Sequence, residues 1–361
     1  MRIKVLLRKL LLKDIGFVAL KKIHPKFALI NLYSKKKINR FSFGKKNSNK
    51  KFYVIKRTPG AGFFSNLLYV LINLEIADRK KYIPVVDMNN FPTMYNQKKN
   101  MNNLKNIWEL FFKQTSNHSL KQVYESKIVY FSPNKLNFKL ISYKNRNLRK
   151  IFDKYIRINH KISDIVDQFV KKNFLKKKVL GVHLRGTDQK VAANHAHPPS
   201  IYEIQNIIDL KLKKFKYDKV FLLTEELDYH TKLKRRYGAL ICSYNYFRAN
   251  NNKDFSMSKR NNHRNRLGIE NLVEAITLAQ CNEIVYCETN ISLFAIFYSK
   301  FKIKKHHIDH GVKGPNRLIS SLSWYIKISY SHLLKDIFDQ FFRLFLSSNR
   351  INSKNSSFKN L

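Results

Sequence analysis

The sequence predicts an α/β protein whose carboxyl-terminal half holds a parallel, doubly wound sheet, and three observations carry that reading. From residue 178 onward, short apolar runs alternate with segments of helical spacing, the pattern of strands joined by crossover helices. A further strand, glycine turn and helix open near residue 52. With 44% hydrophobic and 13% aromatic residues, a chain of 361 can bury a sizeable core in two domains or one large one. Parallel sheets with right-handed crossovers bind ligands at the carboxyl ends of their strands, so functional residues are expected there.

Met1 to Lys22 mixes Leu6, Leu7, Leu10, Leu11 and Leu12 with Arg2, Lys4, Arg8, Lys9 and Lys13, and no uninterrupted apolar run has signal-peptide or spanning length. The spacing predicts a basic amphipathic helix, resting on anionic lipid or docked on the protein. A polar linker, Ser34 to Lys51, precedes the strand Phe52-Tyr53-Val54-Ile55. The turn that follows holds Gly60 and Gly62 with Asn66 just beyond, and Ser65 is positioned to cap a helix reaching about Asp78. Tyr82 to Asp87 reads as a second strand ending on a carboxylate. From Gln114 to Arg149 the chain is polar, with one clear strand at 127–131. Ile162, Ile165, Val166 and Phe169 recur at helical spacing within 158–174, which puts a domain junction near residue 155. Then come strand 178–184, helix 200–214, strand 219–224, helix 226–236, strand 239–243, helix 267–280, strand 283–287 and helix 291–299.

The stretch Lys178 to Asp188 is where a buried run ends in convergent polar groups. His183 and Arg185 alternate onto one face of the strand and point the same way. Gly186 lets the backbone turn close to whatever is bound, and Asp188 can orient Arg185 or a hydroxyl. A guanidinium at the end of a parallel strand suits a phosphate, which it grips bidentately. A structural Arg–Asp pair is the alternative.

His183-Leu184-Arg185-Gly186-Thr187-Asp188 resembles the HxRxTD donor motif of the fucosyltransferase superfamily, which includes α-1,6-, nodulation and protein O-fucosyltransferases. The passage from Gly60 to Asp87 resembles its bacterial members, and Phe91-Pro92-Thr93 and Asn106 to Phe112 continue the match. Val220 to Glu226 is similar to the second motif, a strand usually finished by Thr-Asp-Asp, with Thr224, Glu225 and Glu226 here. Glu274 falls where the family reads guanine with an aspartate, a carboxylate suiting the base's adjacent N1 and N2 donors. Thr289, Asn290 and Ser292 fall at the third motif, a turn before a helix that can meet phosphate. Helix-end acids, an exposed helix carboxylate and an ordinary helix cap are the respective alternatives.

The resemblance, covering roughly residues 52–300, implies two Rossmann-like domains of GT-B type, with the donor site in the C-terminal doubly wound domain. Together with the residue pattern, which sets apart a basic segment and linker (1–50) and an amphipathic helix with a polar tail (316–361), it implies an acceptor-side α/β domain (51–155) and a nucleotide-sugar-binding domain (156–315). It implies an inverting, metal-independent transferase moving fucose from GDP-fucose to a glycan, such as a lipid-linked or cell-surface polysaccharide precursor. No cofactor is expected, and no DxD sequence occurs to hold a metal. Two departures bear on the base: the family's lysine after the aspartate is Gln189, and its candidate basic glutamate is Ala193. Asp188, His195 and Asp87 are the remaining proton acceptors.

Seventy Lys and Arg against 24 Asp and Glu give a net charge of +46, which attracts polyanions. Cys242, Cys281 and Cys287 have neither an even count nor metal-ligand spacing, which predicts reduced thiols and a cytoplasmic setting. Ile326, Tyr330, Leu333, Ile337, Phe341, Leu344 and Phe345 recur at helical spacing among lysines and Arg343, which suits either peripheral attachment to the inner face of an anionic membrane or packing on the catalytic domain. A nucleic-acid-binding module is the competing class, but Tyr244, Tyr246, Phe247 and Arg248 form only one small aromatic-basic cluster. A donor-fold pseudoenzyme without a base is the other.

Overall fold

The structure is a computed structural model that describes residues 38–56, 62–88, 106–133, 143–144, 147–250 and 258–324. The expected amino-terminal helix, Gly60 and the helix beyond Trp324 lie outside the described residues. The chain forms two compact units, the first running to Asp167 and taking in Lys259–Val273, the second comprising Gln168–Ser258 and the chain from Glu274.

In the first unit the elements are β1 (Asn39–Phe41), β2 (Phe52–Ile55), α1 (Phe63–Arg79), β3 (Ile83–Val86), α2 (Trp108–Phe111), α3 (Leu120–Val123), β4 (Val129–Phe131), α4 (Asn147–Tyr155) and the start of α5 (His160–Asn173). The strands lie in the order β1-β4-β2-β3. β2 is parallel to both its neighbours, and β1 runs antiparallel to β4. One face of the sheet packs Phe52, Val54, Val85, Val129 and Phe131 against Val123 of α3. On the other, Tyr53 donates its hydroxyl to Asn73 of α1 at 2.8 Å.

Ser65 is not the cap of α1. The helix starts three residues earlier than that cap implies, at Phe63, with Gly62 as N-cap and no side-chain cap bond. Burial explains the extension: Phe63 and Phe64 are inside, with Phe63 edge-on to Phe111 at 4.8 Å, which being in the helix makes possible.

In the second unit β5 (Val179–Leu184) leads into α6 (Thr187–Val191) and α7 (Ile201–Phe215), followed by β6 (Lys219–Thr224), α8 (Leu227–Tyr237) and β7 (Ile241–Cys242). After α9 (His263–Leu278), which begins in the first unit, come β8 (Glu283–Tyr286), α10 (Asn290–Tyr298), β9 (Lys304–His307) and α11 (Arg317–Trp324). The five strands are all parallel, in the order β7-β6-β5-β8-β9. The chain therefore works outward from β5 on one side and returns to build β8 and β9 on the other. The strand order reverses between β5 and β8, and the crevice above that reversal is the ligand position of such sheets.

Every residue of β5 is buried, as a central parallel strand requires. Leu180, Val182 and Leu184 pack with Ile204 and Ile208 of α7 and with Tyr229 and Leu233 of α8. On the opposite face Gly181 is a close-approach point, since a Cβ there would lie 2.6 Å from Cδ1 of Leu278. The strand expected at 239–243 is only Ile241–Cys242, because a 3₁₀ turn, Gly238–Leu240, occupies its start. Cys242, Cys281 and Cys287 are buried free thiols, and burial pushes the Cys287 thiol up to about 12, which makes it inert at neutral pH. Among the described residues no helix is long and apolar enough to cross a membrane.

Candidate functional site

The site grows from the last residues of β5. His183, paired in register with Tyr286 of β8 and Leu223 of β6, is 1% exposed, and neither ring nitrogen has a hydrogen-bond partner. Burial, reinforced by the Arg185 guanidinium, lowers its pKa to about 3, so the ring is neutral at physiological pH and carries one donor and one acceptor. Buried polar atoms are nearly always paired, so two orphaned nitrogens mark a place where a ligand or water group belongs. Arg185, one step past the strand, is part-exposed, with Nε 3.8 Å from Oε1 of Glu225 at the end of β6.

Gly186 makes the close approach its sequence position suggested, but to a side chain. A Cβ there would fall 1.4 Å from Oε2 of Glu226. That carboxylate is held on its other oxygen by Lys190 of α6, Nζ to Oε1 at 2.5 Å, in a largely buried pair. The Lys190 ammonium also lies over the rings of Tyr229 at 4.4 Å and Trp324 at 5.1 Å. Trp324 donates its indole N–H to Pro198 O, and Tyr229 its hydroxyl to Pro199 O. The turn after Arg185 is thus clamped from α6, α8 and α11 together. In the same turn Gln189 donates to Ala196 O while its own buried side-chain oxygen accepts nothing.

Beside this lies a second ion pair. Glu274 of α9 is buried with its Oε1 2.5 Å from Nη2 of Arg248, both side chains almost inaccessible. It is therefore no exposed helix carboxylate. Ala249, next to Arg248, donates its backbone N–H to Glu225 O, which ties this pair to the end of β6. Thr224 is fully buried and accepts the Glu226 N–H through Oγ1. Tyr244 stacks on Tyr246 at 4.7 Å, the small aromatic cluster noted in the sequence. Three cations, Arg185, Lys190 and Arg248, thus face Glu225, Glu226 and Glu274.

The remaining expected residues spread out. Thr289 and Ser292 form a capping box at the start of α10, each side chain accepting the other's backbone N–H, while Asn290 is exposed. Their hydroxyls are thus committed to the helix end. Asp188 lies in α6, but its side chain is outside the described residues. His195 is exposed, with Nδ1 2.8 Å from Ala193 O. In the first unit, Asp87 follows β3 and is buried against Lys56 Nζ at 2.7 Å, with the Tyr124 hydroxyl donating to the same oxygen. Asn66 lies on α1, beside Gly62, and lines a small cavity of about 40 Å³ with Phe63, Trp108 and Phe111.

Sequence reasoning missed Lys190 and Trp324, and it read Arg248 only as part of an aromatic-basic cluster, not as the partner of Glu274. Lys190 stands one position after the place where the motif carries its lysine, a displacement the sequence itself displays. Trp324 carried no local signal; only packing brings it to the turn.

No protein-family model and no curated protein matches the chain. Among solved structures, the chain is similar to NodZ α-1,6-fucosyltransferase soaked with GDP-fucose, at 15% identity and a TM-score of 0.47 over 69% of this chain and 93% of that one. It is similar to fucosyltransferase NodZ from Bradyrhizobium at 14% identity and a TM-score of 0.47, over 68% and 93%. POFUT1 in complex with GDP-fucose aligns at 12% identity and a TM-score of 0.44, over 74% of this chain and 100% of that one.

Proposed function

We propose that the protein is a glycosyltransferase that takes its sugar from a nucleoside diphosphate, GDP-fucose by the motif resemblance, and passes it to a glycan. One observation carries the reading: a guanidinium and a buried, neutral, unpartnered imidazole stand at the end of one parallel strand, where the strand order reverses.

In this reading Arg185 is the leaving-group residue. Its guanidinium meets the diphosphate as the glycosidic bond breaks, and a well-placed donor of this kind is worth roughly 3 kcal/mol of transition-state charge. Glu225, now 3.8 Å away, is the counter-ion that the diphosphate would displace. His183 offers the neutral hydrogen-bonding group behind it. For Glu274 to read guanine it must share its carboxylate with Arg248, which would hold it in one orientation. The transition state of fucosyl transfer is oxocarbenium-like and loosely bonded, so leaving-group stabilisation dominates and a weak base suffices. Asp188, by its place in the motif, and His195 are the remaining candidates to accept the hydroxyl proton, since Asp87 is committed to Lys56 and Tyr124.

The test is thermal unfolding with GDP-fucose, GDP-mannose, UDP-sugars and GDP, on the wild type, Arg185→Ala and Glu274→Gln. Guanine-selective stabilisation is expected, about 2.7 kcal/mol at a hundredfold excess over Kd, and should be lost in Arg185→Ala. Absence of any nucleotide response would refute the reading; binding without transfer would make the protein a donor-fold pseudoenzyme.

A further inference from the structure

We propose that α11 presents a lipid-docking face to an anionic membrane surface. The helix is built with its polarity reversed. Ser320 and Trp324, one turn apart, face inward, while Leu318, Ile319 and Leu322 are 76%, 64% and 61% exposed on the outer side. Two bonds set that orientation: the Trp324 indole N–H to Pro198 O at 2.8 Å, and the Ser320 hydroxyl to Gly314 O at 2.8 Å. Rolling the helix to bury its leucines would break both and remove the indole from Lys190. Val312, just before the helix, is 70% exposed as well. Apolar side chains gathered on one solvent-facing helix side mark a surface that something covers.

Charge selects the occupant. A chain of net charge +46 repels a second copy of itself and is drawn to an anionic bilayer. Nucleic acid wants basic and aromatic side chains, and the three exposed side chains of this helix, Leu318, Ile319 and Leu322, are neither. The sequence beyond the helix keeps the spacing, with Ile326 and Tyr330 following Leu318 and Leu322 at intervals of four. From Arg317 to Arg350 the segment holds Arg317, Lys327, Lys335, Arg343 and Arg350 against Asp336 and Asp339. An apolar stripe among basic residues is the composition of a segment that lies in a lipid interface.

The experiment is flotation of the full-length protein with vesicles of phosphatidylcholine alone or mixed with phosphatidylglycerol, for the wild type and Leu318→Ser/Ile319→Ser/Leu322→Ser. The expected result is partition to the anionic vesicles only, weakened by high salt and reduced about tenfold or more in the variant. Because the three side chains are exposed, the variant should unfold at the wild-type temperature; Leu318→Asp alone provides a second, smaller perturbation with the same expected direction. Equal partition of variant and wild type, or equal binding to neutral vesicles, overturns the proposal. So does a wild-type mass of two chains that the variant reduces to one, which would identify a second copy as the occupant.

Discussion

Two strand ends, one in each unit, make an instructive pair. At the end of β3, Asp87 is closed off by Lys56 and the Tyr124 hydroxyl, with the lysine also 5.4 Å from the Tyr124 ring centroid. At the end of β5, His183 has two buried nitrogens with no hydrogen-bond partner, and Gln189 has a buried oxygen with none. Both ends put charge at the carboxyl end of a strand paired in parallel. The first neutralises it within the fold and so serves stability, while the second leaves polar capacity that the fold itself does not use. Unused capacity, rather than charge as such, distinguishes the candidate site.

That contrast can be broken by experiment. Lys56→Met should cost about 3–5 kcal/mol of stability, because it strands a buried carboxylate. Chemical denaturation reads this directly, and a loss under 1 kcal/mol would mean that the Asp87 cluster is not structural. Arg185→Lys should instead leave the unfolding midpoint nearly unchanged and lower sugar transfer by roughly a hundredfold, since an ammonium cannot match the planar fork on a diphosphate. If both substitutions destabilise alike, the two strand ends are equivalent and the comparison fails.

A smaller effect is expected at the clamp. Gly186→Ala sets a methyl against the Glu226 carboxylate and should cost about 1–3 kcal/mol. Pairing it with Glu226→Ala should recover part of that loss, and a double-mutant cycle with no coupling would show that the contact does not matter.

The finest test is pH. His183 is held near 3 when folded and titrates at its ordinary value of 6.5 when unfolded, so between those values the unfolded chain binds the extra proton. Stability should therefore fall as pH drops from 6.5 toward 3. In His183→Phe that part of the slope should disappear, as thermal melts at a series of pH values would reveal; an unchanged slope would mean that the imidazole is already charged in the folded chain.

Much of the second unit is legible in the sequence. The helices expected at 200–214 and 226–236 are Ile201–Phe215 and Leu227–Tyr237, and strand 219–224 agrees residue for residue. These succeed because a buried parallel strand is a continuous apolar run and a covering helix repeats every three or four residues. Strand β9, Lys304–His307, escaped because Lys-Lys-His-His has no apolar signal and becomes a strand only by pairing with β8 at the sheet edge. Among the described residues of the polar stretch 114–149, α3 and the start of α4 went unread, although Ser119 with Gln122 is a capping box that could have announced the first.

The same division runs through the site. Sequence alone nominated His183 and Arg185 for one strand end, because the period of a strand is two and glycine follows where the chain must turn. Which charges meet there was decided by tertiary structure. Lys190 finds Glu226 across 36 positions, Arg248 finds Glu274 across 26, and Trp324 finds Pro198 across 126. Side-chain type and spacing report local geometry, whereas an ion pair depends on where a parallel sheet brings separate strand ends together. Local pattern could nominate the arginine; only the fold could supply its surroundings.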